Sequence, residues 1–426
     1  MEKEKKELFD NYNKILKKAE YCLNCHTRPC EKQGCPMNTK IPNFIELIKV
    51  NKIKDAYNVL RSNNIFSHIC SIICPQEDQC EGKCVRGIKN SPTEIGLLEE
   101  YVNYIAEKEN YDYPTIEIKN DNGYKVAIIG SGPAGLECAY VLKKSGCQVD
   151  IFEKEEKNGG ILEYGIPDFR LNKKYIEEII EYLKDIGISF YNNKEFGIEI
   201  HIEDLKKKYD AIFLGIGAEV SSKYDLGDFS KIYDSNEFLR AYYSNNYLDK
   251  LGKVIVIGGG NVAMDCSRVA LKMGATSSTI CYRRDEKHMP ARKEELYSAI
   301  ADGVKKQFLT RVISANGENK IEKLHCIKTE IIDGKASDIE NSDFEIEADS
   351  VVFAIGLKPN KKILSNEKLK VTDWGILEVD KNNMTSIEGV FAGGDLIESK
   401  ATVCRALASG RKAALDILNY LKEKEN

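Results

Sequence analysis

Long apolar runs are missing from this chain of 426 residues. No stretch reaches the roughly eighteen apolar residues that a membrane-spanning helix needs, so the sequence predicts no membrane span. The first residues, MEKEKKELFDNYNKILKKAEYC, are charged and favour a helix, and they lack the apolar core and the cleavage site of a signal peptide. We therefore expect a cytoplasmic protein. In such reducing surroundings, cysteines bind metals more often than they form disulfides, so we interpret the cysteines of this chain as metal ligands.

A basic excess is missing too, because the formal net charge is −5 at pH 7. This excludes the general positive field with which a protein attracts nucleic acid. Histidine is scarce, with five residues scattered along the chain, and none of them is assigned a catalytic role. The apolar share of 42% is ordinary for a globular protein, and the length exceeds what one hydrophobic core supports, so two or three domains are expected.

Cysteine, in contrast, is concentrated near the start of the chain. Eight of the fourteen cysteines fall within the first 84 residues, with the spacings C-x2-C-x4-C-x4-C-P and C-x3-C-P-x4-C-x3-C. The first group is Cys22, Cys25, Cys30 and Cys35, and the second is Cys70, Cys74, Cys80 and Cys84. Thiolates held by short turns, with a later cysteine that reaches a different cluster, are typical of [4Fe–4S] modules. A structural zinc module is the alternative, but zinc favours paired C-x2-C knuckles and the chain has a single one here.

Two clusters with four sulfur ligands each would use all eight cysteines. If Cys70, which precedes the Cys74–Pro75 step, is spare, the second cluster needs another ligand, and Glu99 in IGLLEEYV is a candidate. The alternative for Glu99 is a solvated carboxylate on a helix face, which spacing alone favours. The other six cysteines lie in apolar stretches and are expected to be small buried residues: Cys138, Cys147, Cys266, Cys281, Cys326 and Cys404.

A glycine fingerprint for a dinucleotide follows the short apolar strand YKVAII. Gly130-x-Gly132-x-x-Gly135 opens a helix, and Glu153 ends the next strand. The glycines permit a tight turn and a close approach of the backbone to a pyrophosphate, and the carboxylate would accept hydrogen bonds from a ribose hydroxyl. A glycine turn without a ligand is the alternative, but the strand context and the acid favour a nucleotide site.

A second fingerprint begins at Gly258-Gly259-Gly260-Asn261-Val262-Ala263. Here the following strand ends in Arg283 and Arg284 rather than in an acid. Arginines pair with a 2′-phosphate through charge-assisted hydrogen bonds, so the site should prefer NADPH to NADH. The alternative is a solvated pair of surface arginines.

The remaining pattern predicts how the chain is divided. Strands that end in glycine, YDAIFLGIGAE and DSVVFAIGLKPN, close the two fingerprint units, and the last segment, with a strand and a long helix, should return to the first unit. We predict a helical iron–sulfur domain at 1–120, a first nucleotide-binding domain in two parts at 121–245 and 358–426, and a second one between them at 246–357.

Seven segments together resemble a known family: CLNCHTRPCEKQGCP, ICPQEDQCEGKCVRGIKNSP, IGSGPAGLECAYVLKKSG, GGILEYGIPDFRL, IGGGNVAMDCSRVALKMGA, YRRDEKHMPAR and AGGD. It is the small-subunit family of NADPH-dependent glutamate synthase. Its relatives include the large subunit of the electron-bifurcating NADH-dependent ferredoxin:NADP⁺ oxidoreductase and the N-terminal half of dihydropyrimidine dehydrogenase. The resemblance covers nearly the whole chain. It implies an α/β protein with an N-terminal α-helical double [4Fe–4S] domain, followed by two nested Rossmann-like domains in which an NADPH domain interrupts an FAD domain.

The resemblance also implies ligands for both clusters. One cluster would be held by Cys22, Cys25, Cys30 and Cys84, and the other by Cys35, Cys74, Cys80 and Glu99, so that Cys70 is no ligand. The dihydropyrimidine dehydrogenase relatives have glutamine where Glu99 stands. A carboxylate adds negative charge and should lower the potential of its cluster.

For the nucleotides, the resemblance implies two sets of residues. The FAD set is Gly130, Ser131, Gly132, Pro133, Ala134, Gly135, Glu153, Gly160, Ile161, Arg170, Gly394, Asp395, Thr402 and Val403. The NADPH set is Gly259, Gly260, Asn261, Val262, Arg283, Arg284, Ala354, Ile355 and Gly356. Asp395 would accept a hydrogen bond from a ribityl hydroxyl, and a helix N-terminus after it would face the flavin.

The expected function is that of a flavin and iron–sulfur oxidoreductase. It would move electrons between NADPH, FAD and two [4Fe–4S] clusters and pass them to a partner subunit, so that a hetero-oligomer is expected. The glutamate synthase small subunit is the first interpretation. The alternatives are the large subunit of a bifurcating transhydrogenase, the electron-input part of a dihydropyrimidine dehydrogenase, and a non-redox scaffold that binds zinc. No catalytic side chain is assigned, because the cofactors carry the chemistry.

Overall fold

The computed structural model describes residues 2–244, 248, 250–398 and 402–424. The N-terminal region is helical, as the sequence analysis predicts. Its helices are α1 (Glu2–Phe9), α2 (Tyr12–Glu20), α3 (Ile41–Lys49), α4 (Ile53–Asn63), α5 (Ser67–Ile73) and α6 (Ile95–Lys108). Three short turns that contain or adjoin cysteines lie between some of these helices: a π-helical turn at Cys30–Gly34 and 3-10 turns at Glu81–Lys83 and Val85–Ile88. The apolar residues Ile41, Phe44, Ile45 and Ile48 of α3 are buried against the other helices.

Strands and helices then alternate, beginning with the first glycine fingerprint. The elements are β1 (Lys125–Ile129), α7 (Pro133–Lys144), β2 (Gln148–Phe152), α8 (Ile161–Tyr164), α9 (Lys174–Asp185), β3 (Ser189–Tyr191), α10 (Ile202–Leu205), β4 (Ala211–Leu214), β5 (Val220–Ser221), β6 (Ile232–Asp234) and α11 (Ser235–Tyr243).

The second fingerprint starts another alternating stretch. Its elements are β7 (Lys253–Ile257), α12 (Asn261–Lys272), β8 (Ser277–Tyr282), α13 (Lys293–Ala301), β9 (Lys305–Phe308), β10 (Thr310–Asn316), β11 (Lys323–Ile332), β12 (Lys335–Glu347), β13 (Ser350–Phe353) and β14 (Leu357–Lys358). The chain ends with α14 (Lys361–Asn366), β15 (Val390–Ala392), a 3-10 turn at Gly394–Leu396 and the long helix α15 (Val403–Glu423).

Two five-stranded parallel sheets organise these elements. The first has the order β15-β4-β1-β2-β3 and the second has the order β6-β13-β7-β8-β9. Since β15 pairs with β4, the end of the chain returns to the first sheet, as the sequence predicts. Parallel strands with helical connections place the fingerprint turns at the carboxyl ends of β1 and β7, where such sheets bind ligands.

A third sheet is not foreseen by the sequence patterns above. Strands β10, β11 and β12 form an antiparallel sheet with irregular register at Val312–Ser314 and Ile327–Thr329. The turn between β11 and β12 has Asp333 and Gly334 at positive φ, a pair that favours tight hairpins. That Asp-Gly dipeptide was the available signal for this hairpin.

Contacts divide the chain into two compact units. The first comprises 1–163, 168–217 and 361–426, so it holds the helical region and the first parallel sheet. The second comprises 164–167 and 218–360 and holds the second parallel sheet. The long segment of the second unit begins at residue 218, whereas the sequence places a boundary at 245/246, which lies outside the described residues. The three sequence-based domain boundaries stay a prediction.

Candidate cofactor sites

Four cysteines that are distant in sequence meet around one pocket of the helical region. Cys22, Cys25 and Cys30 come from the segment between α2 and the π-helical turn, and Cys84 follows the turn Glu81–Lys83. Together with apolar side chains of α3 and α6, they line a pocket of about 360 Å³, including its open mouth. The structure therefore brings together the same four cysteines that the family resemblance groups around one cluster.

The chemistry of this first pocket fits an iron–sulfur cluster. Burial among apolar side chains raises the pKa of the Cys30 thiol to about 12, so a free thiolate is unfavourable there. A metal removes this cost because it takes the place of the proton. The backbone N–H of Thr93 lies 3.4 Å from the Sγ of Cys84 and donates to it, an interaction that supports a ligating thiolate.

A second group of thiols lies where the π-helical turn meets the turn Glu81–Lys83. Gly34 is needed at this contact, because a Cβ on it would lie 2.8 Å from the Cα of Cys80. Cys35 follows Gly34 directly, and the backbone N–H of Thr39 donates to its Sγ over 3.5 Å. Cys74 and Cys80 are both buried.

Glu99 belongs to the same buried region. It is 8% exposed, so the interpretation of a solvated helix-face carboxylate is wrong. The hydroxyl of Ser67 donates to its Oε1 over 2.8 Å, and the side-chain amide of Asn103 donates to that hydroxyl over 3.1 Å. Burial, and next the neighbouring Cys70, raise the pKa of Glu99 well above its ordinary value. Such a carboxylate is stable only with a proton or a cation, which suits a ligand of iron.

Two thiols that the sequence interpretation set aside lie beside this second group. The Sγ atoms of Cys70, Cys74 and Cys404 are all within 4.8 Å of one another, and all three residues are buried. Cys404 is buried, as the sequence predicts, but it lies beside two other thiols. Its partners are more than three hundred residues away in the chain, so no local spacing could have revealed them.

The first glycine turn is tied to the acid that follows the next strand. Both the backbone N–H and the hydroxyl of Ser131 donate to Oε2 of Glu153, over 2.9 and 2.6 Å. The backbone N–H of Glu155 donates to the other carboxylate oxygen over 3.0 Å. Glu153 is thus held in place by the protein itself, beside the turn where the sequence predicts a ribose and a pyrophosphate.

Other residues of the FAD set surround this turn closely. A Cβ on Gly160 would lie 2.9 Å from the Cα of Gly132, and one on Gly394 would lie 3.0 Å from the Cβ of Ala134. Space remains only beside Gly132, where a Cβ would meet no atom within 4 Å. The turn thus offers bare backbone next to open space, which is the cradle that a pyrophosphate requires.

The C-terminal members of the FAD set lie near the start of α15. Burial, and to a smaller extent Glu398, raise the pKa of Asp395 to about 6. The Thr402 side chain caps α15 by accepting from the backbone N–H of Arg405 over 3.3 Å. Val403 is the first residue of that helix. Ile161, at the start of α8, is exposed, and Arg170 is half-buried ahead of α9.

Two contacts join the helical region to this flavin-side structure inside the first unit. The Gln79 side-chain amide donates to the Thr402 hydroxyl over 3.2 Å. Arg411 of α15 donates to the backbone oxygens of Met37 and Asn63, over 3.3 and 2.6 Å, and to the carboxylate of Glu137 over 2.8 Å. Glu137 lies on α7, the helix that opens at the glycine turn. One arginine therefore fixes the cysteine-bearing turns against the flavin-side helices.

The second unit repeats the glycine turn with different surroundings. A Cβ on Gly258 would lie 2.2 Å from the backbone oxygen of Ala354, and one on Gly259 would lie 2.4 Å from the ring of Tyr282. Gly260 faces open space and is followed by Asn261 and Val262 at the start of α12. Ile355 and Gly356 continue from Ala354, and Ile355 is 41% exposed.

The two arginines after β8 differ from each other. Arg283 is exposed, and its backbone oxygen accepts from the Thr329 hydroxyl over 2.7 Å. Arg284 is half-buried, and its Nε donates to the Tyr282 hydroxyl over 2.8 Å. Arg283 is therefore the freer of the two to meet a phosphate.

Sequence reasoning missed one further contact at this turn. The backbone N–H of Ala291 donates to the oxygen of Gly259 over 3.0 Å, and that of Arg292 donates to the side-chain oxygen of Asn261 over 2.9 Å. The segment HMPAR thereby folds back on the glycine turn. Its presence in the family resemblance was the one signal for this role.

Comparisons with known proteins agree with this architecture. The family of pyridine nucleotide-disulphide oxidoreductases matches residues 124–410, and the iron–sulfur domain described as dihydropyrimidine dehydrogenase domain II, 4Fe-4S cluster, matches residues 2–111. The chain is 33% identical to the glutamate synthase [NADPH] small chain of Escherichia coli K12, over 95% of this chain and 91% of that protein. The chain belongs to this family of pyridine nucleotide oxidoreductases. This chain is an FAD- and NADPH-dependent oxidoreductase, and the matched N-terminal domain makes it an iron–sulfur flavoprotein.

Other relatives belong by name to different enzymes. The glutamate synthase [NADPH] small chain of Azospirillum brasilense is 32% identical, over 95% of this chain and 89% of that protein. The NADPH-Fe(3+) oxidoreductase subunit beta of Geobacter sulfurreducens is 31% identical, over 94% of this chain and 65% of that protein. Several of these relatives are subunits by name.

Solved structures confirm the fold of this oxidoreductase. Mycobacterium tuberculosis FprA, solved in complex with NADPH, matches with a TM-score of 0.62 and 19% identity, over 71% of this chain and 85% of that chain. The thioredoxin reductase of T. acidophilum matches with a TM-score of 0.51 and 19% identity, over 72% of this chain and all of that one. Within the described residues, no helix has the length and apolar character needed to cross a membrane.

Proposed function

We propose that this chain is the electron-input subunit of a larger enzyme. It takes electrons from NADPH to FAD and passes them through two [4Fe–4S] clusters to a partner subunit. The glutamate synthase small chain is the function that we favour, and the 33% identity to that protein from Escherichia coli supports it. The partner would then be the subunit that makes glutamate.

One observation carries this proposal: the flavin-side glycine turn and both cysteine groups belong to one compact unit. Helix α15 begins at the FAD set, with Thr402 as its cap, and places Cys404, two residues later, close to Cys74. Because electron tunnelling weakens steeply with distance, redox centres need such continuous protein between them. The order flavin, second cysteine group, first cysteine group is therefore the path that we propose.

The ligands that we propose follow the two cysteine groups. Cys22, Cys25, Cys30 and Cys84 would hold the first cluster, and Cys35, Cys74, Cys80 and Glu99 would hold the second. When bound, FAD would accept two electrons from NADPH and release them singly to the clusters. The protein's own part is to hold thiolates in apolar surroundings and to keep Glu99 within its hydrogen bonds to Ser67.

The nucleotide sites use the two glycine turns in the same way. Ser131 fixes Glu153, so that the carboxylate can accept from a ribose hydroxyl without rearranging. In the second unit, Arg283 would pair with the 2′-phosphate of NADPH, and Arg284 would support it from its position against Tyr282. The backbone at Gly132 and Gly260 would face the pyrophosphates.

We place the exit for electrons at the mouth of the first cysteine pocket. Leu23 and Val85 line that pocket and are 50% and 37% exposed, and Ile88 beside them is 77% exposed. Lys83 and Lys89 flank this apolar surface and are exposed as well. A partner with an acidic rim around its own redox centre would fit it, because the charges are complementary.

Anaerobic purification tests the redox part of this proposal. We expect a brown-yellow protein with one FAD and about eight irons per chain, since two [4Fe–4S] clusters require that number. Dithionite reduction should produce a paramagnetic signal from the clusters. A colourless protein that contains zinc would contradict the proposal and would support the scaffold interpretation. Cys25→Ala should remove about half of the iron, whereas the matched control Cys326→Ala, a buried cysteine of the second unit, should remove none.

Copurification of the native complex tests the identity of the partner. A second chain with an FMN-binding barrel would support the glutamate synthase function. A ferredoxin-reductase-like chain with its own FAD would instead support the bifurcating transhydrogenase and would overturn the partner that we favour.

A further inference from the structure

One thiol of the second cysteine group comes from the flavin side of the unit. Cys404 is the second residue of α15 and is 2% exposed. Its Sγ lies within 4.8 Å of the Sγ atoms of Cys70 and Cys74. Neither the cluster ligands nor the FAD set includes it. It is therefore a buried polarisable group whose role is unassigned.

The position of Cys404 is fixed on both sides. Thr402 caps α15 through Arg405, and Gln79 donates to the same hydroxyl from the turn that leads to Cys80. On the other side, Cys70 accepts from the Asn64 amide over 3.4 Å. The thiol of Cys404 is thus held beside the sulfur of Cys74, which would ligate iron, and that of Cys70, which would not.

A thiol at this place can donate its hydrogen to a ligand sulfur. Hydrogen bonds to the sulfurs of an iron–sulfur cluster are among the factors that set its potential, because they stabilise the more negative, reduced state. Four ligands for the second cluster are already available in Cys35, Cys74, Cys80 and Glu99. A fifth group this close to the sulfur of Cys74 is suited to tuning rather than to ligation.

We propose that Cys404 donates its S–H to the ligand sulfur of Cys74 and thereby raises the reduction potential of the second cluster. It is a positioning residue through which the flavin-side helix sets the driving force for the electron that leaves the flavin. This inference rests on the proposed function, because it assumes that a cluster occupies the second cysteine group.

Potentiometric titration followed by electron paramagnetic resonance tests it on the intact, anaerobic holoprotein. Cys404→Ala and Cys404→Val both remove the donor, and the valine also refills the volume. We expect each to make reduction of the second cluster about tenfold less favourable, which is a fall of about 59 mV for one electron. Cys404→Ser retains a donor and should stay close to the wild type. The first cluster and the FAD should keep their potentials, and Cys266→Ala, a buried cysteine of the second unit, is the matched control.

Two outcomes would overturn this inference. An unchanged potential in both the alanine and the valine variants would show that the thiol donates nothing to the cluster. Loss of about half of the iron in both the alanine and the valine variants would show that Cys404 is a ligand of the cluster instead. A wild-type protein without iron or without a paramagnetic signal would overturn the proposed function itself, so the two failures are distinguishable.

Discussion

The two nucleotide-binding folds of this chain use the same plan and differ at their ends. In each, a buried strand leads through a glycine turn into a helix, and the sheet orders β15-β4-β1-β2-β3 and β6-β13-β7-β8-β9 place the fingerprint strand in the centre. After the second strand, however, one fold has Glu153 and the other has Arg283. The shared turn suits any pyrophosphate. We expect the residue at the strand end to distinguish a ribose hydroxyl from a 2′-phosphate.

The folds differ also in how tightly the helix approaches its turn. Gly135 lies so close to the turn that a Cβ on it would be 2.0 Å from the oxygen of Gly130. At the corresponding position, the second fold has Ala263, which is completely buried. The first fold therefore depends on a bare backbone where the second accommodates a methyl group.

We expect the largest effect from exchanging glycine and alanine at these two matching positions. Gly135→Ala forces its methyl group into the backbone of the turn, so the cradle should distort and FAD retention should fall by more than tenfold. The measurement is the ratio of released flavin to protein after purification. The reciprocal change Ala263→Gly should leave FAD in place and cost about 1 kcal/mol of helix stability. Full flavin content in Gly135→Ala would show that the two turns are equivalent after all.

A second expected effect concerns the strand ends. Arg283→Ala removes a charge-assisted hydrogen bond to the 2′-phosphate, worth about 1.5–3 kcal/mol, so KM for NADPH should rise roughly tenfold to a hundredfold. KM for NADH should hardly change, because NADH has no such phosphate. Arg284→Ala should act less strongly, since its guanidinium is engaged with Tyr282.

Steady-state kinetics with both nucleotides and an artificial acceptor would check this prediction. Lys287→Ala, an exposed cation a few residues away, serves as the control. An equal rise of KM for NADPH and NADH in Arg283→Ala would refute the assignment of the 2′-phosphate.

The smallest expected effect concerns stability and pH in the first fold. Glu137 is fully buried, and burial raises its pKa from 4.5 to about 7 against the pull of Arg411. Because the folded value is the higher one, its contribution to stability is complete below pH 4.5 and is lost as the pH rises through about 7. Glu137→Gln removes this loss. The difference in Tm between Glu137→Gln and the wild type should therefore grow by a few degrees in favour of the variant from pH 5 to pH 8.

Thermal unfolding of the holoprotein at several pH values measures this difference. Asp204→Asn, at an exposed carboxylate paired with Lys207, should show almost none of it. A constant difference between Glu137→Gln and the wild type across this pH range would mean that Glu137 keeps the same charge throughout.

The sequence by itself determined the parts of this protein whose signals are local. Each of these signals lies within about twenty-five residues, because each belongs to one turn and the strand next to it. They are the cysteine spacing, the glycine turns and the residues at the ends of the following strands. From them follow the cluster module, the two nested nucleotide folds and the family. The hairpin of β11 and β12 had a local signal as well, in Asp333–Gly334.

Only the tertiary structure decided which distant side chains meet. It buried Glu99 beside Ser67, brought Cys404 to Cys74 and joined Arg411 to Glu137. Such pairs leave no periodic pattern, because their separation along the chain depends on loop lengths and not on the geometry of one element. Their energies arise from burial, which exists only once the elements that carry them have packed together.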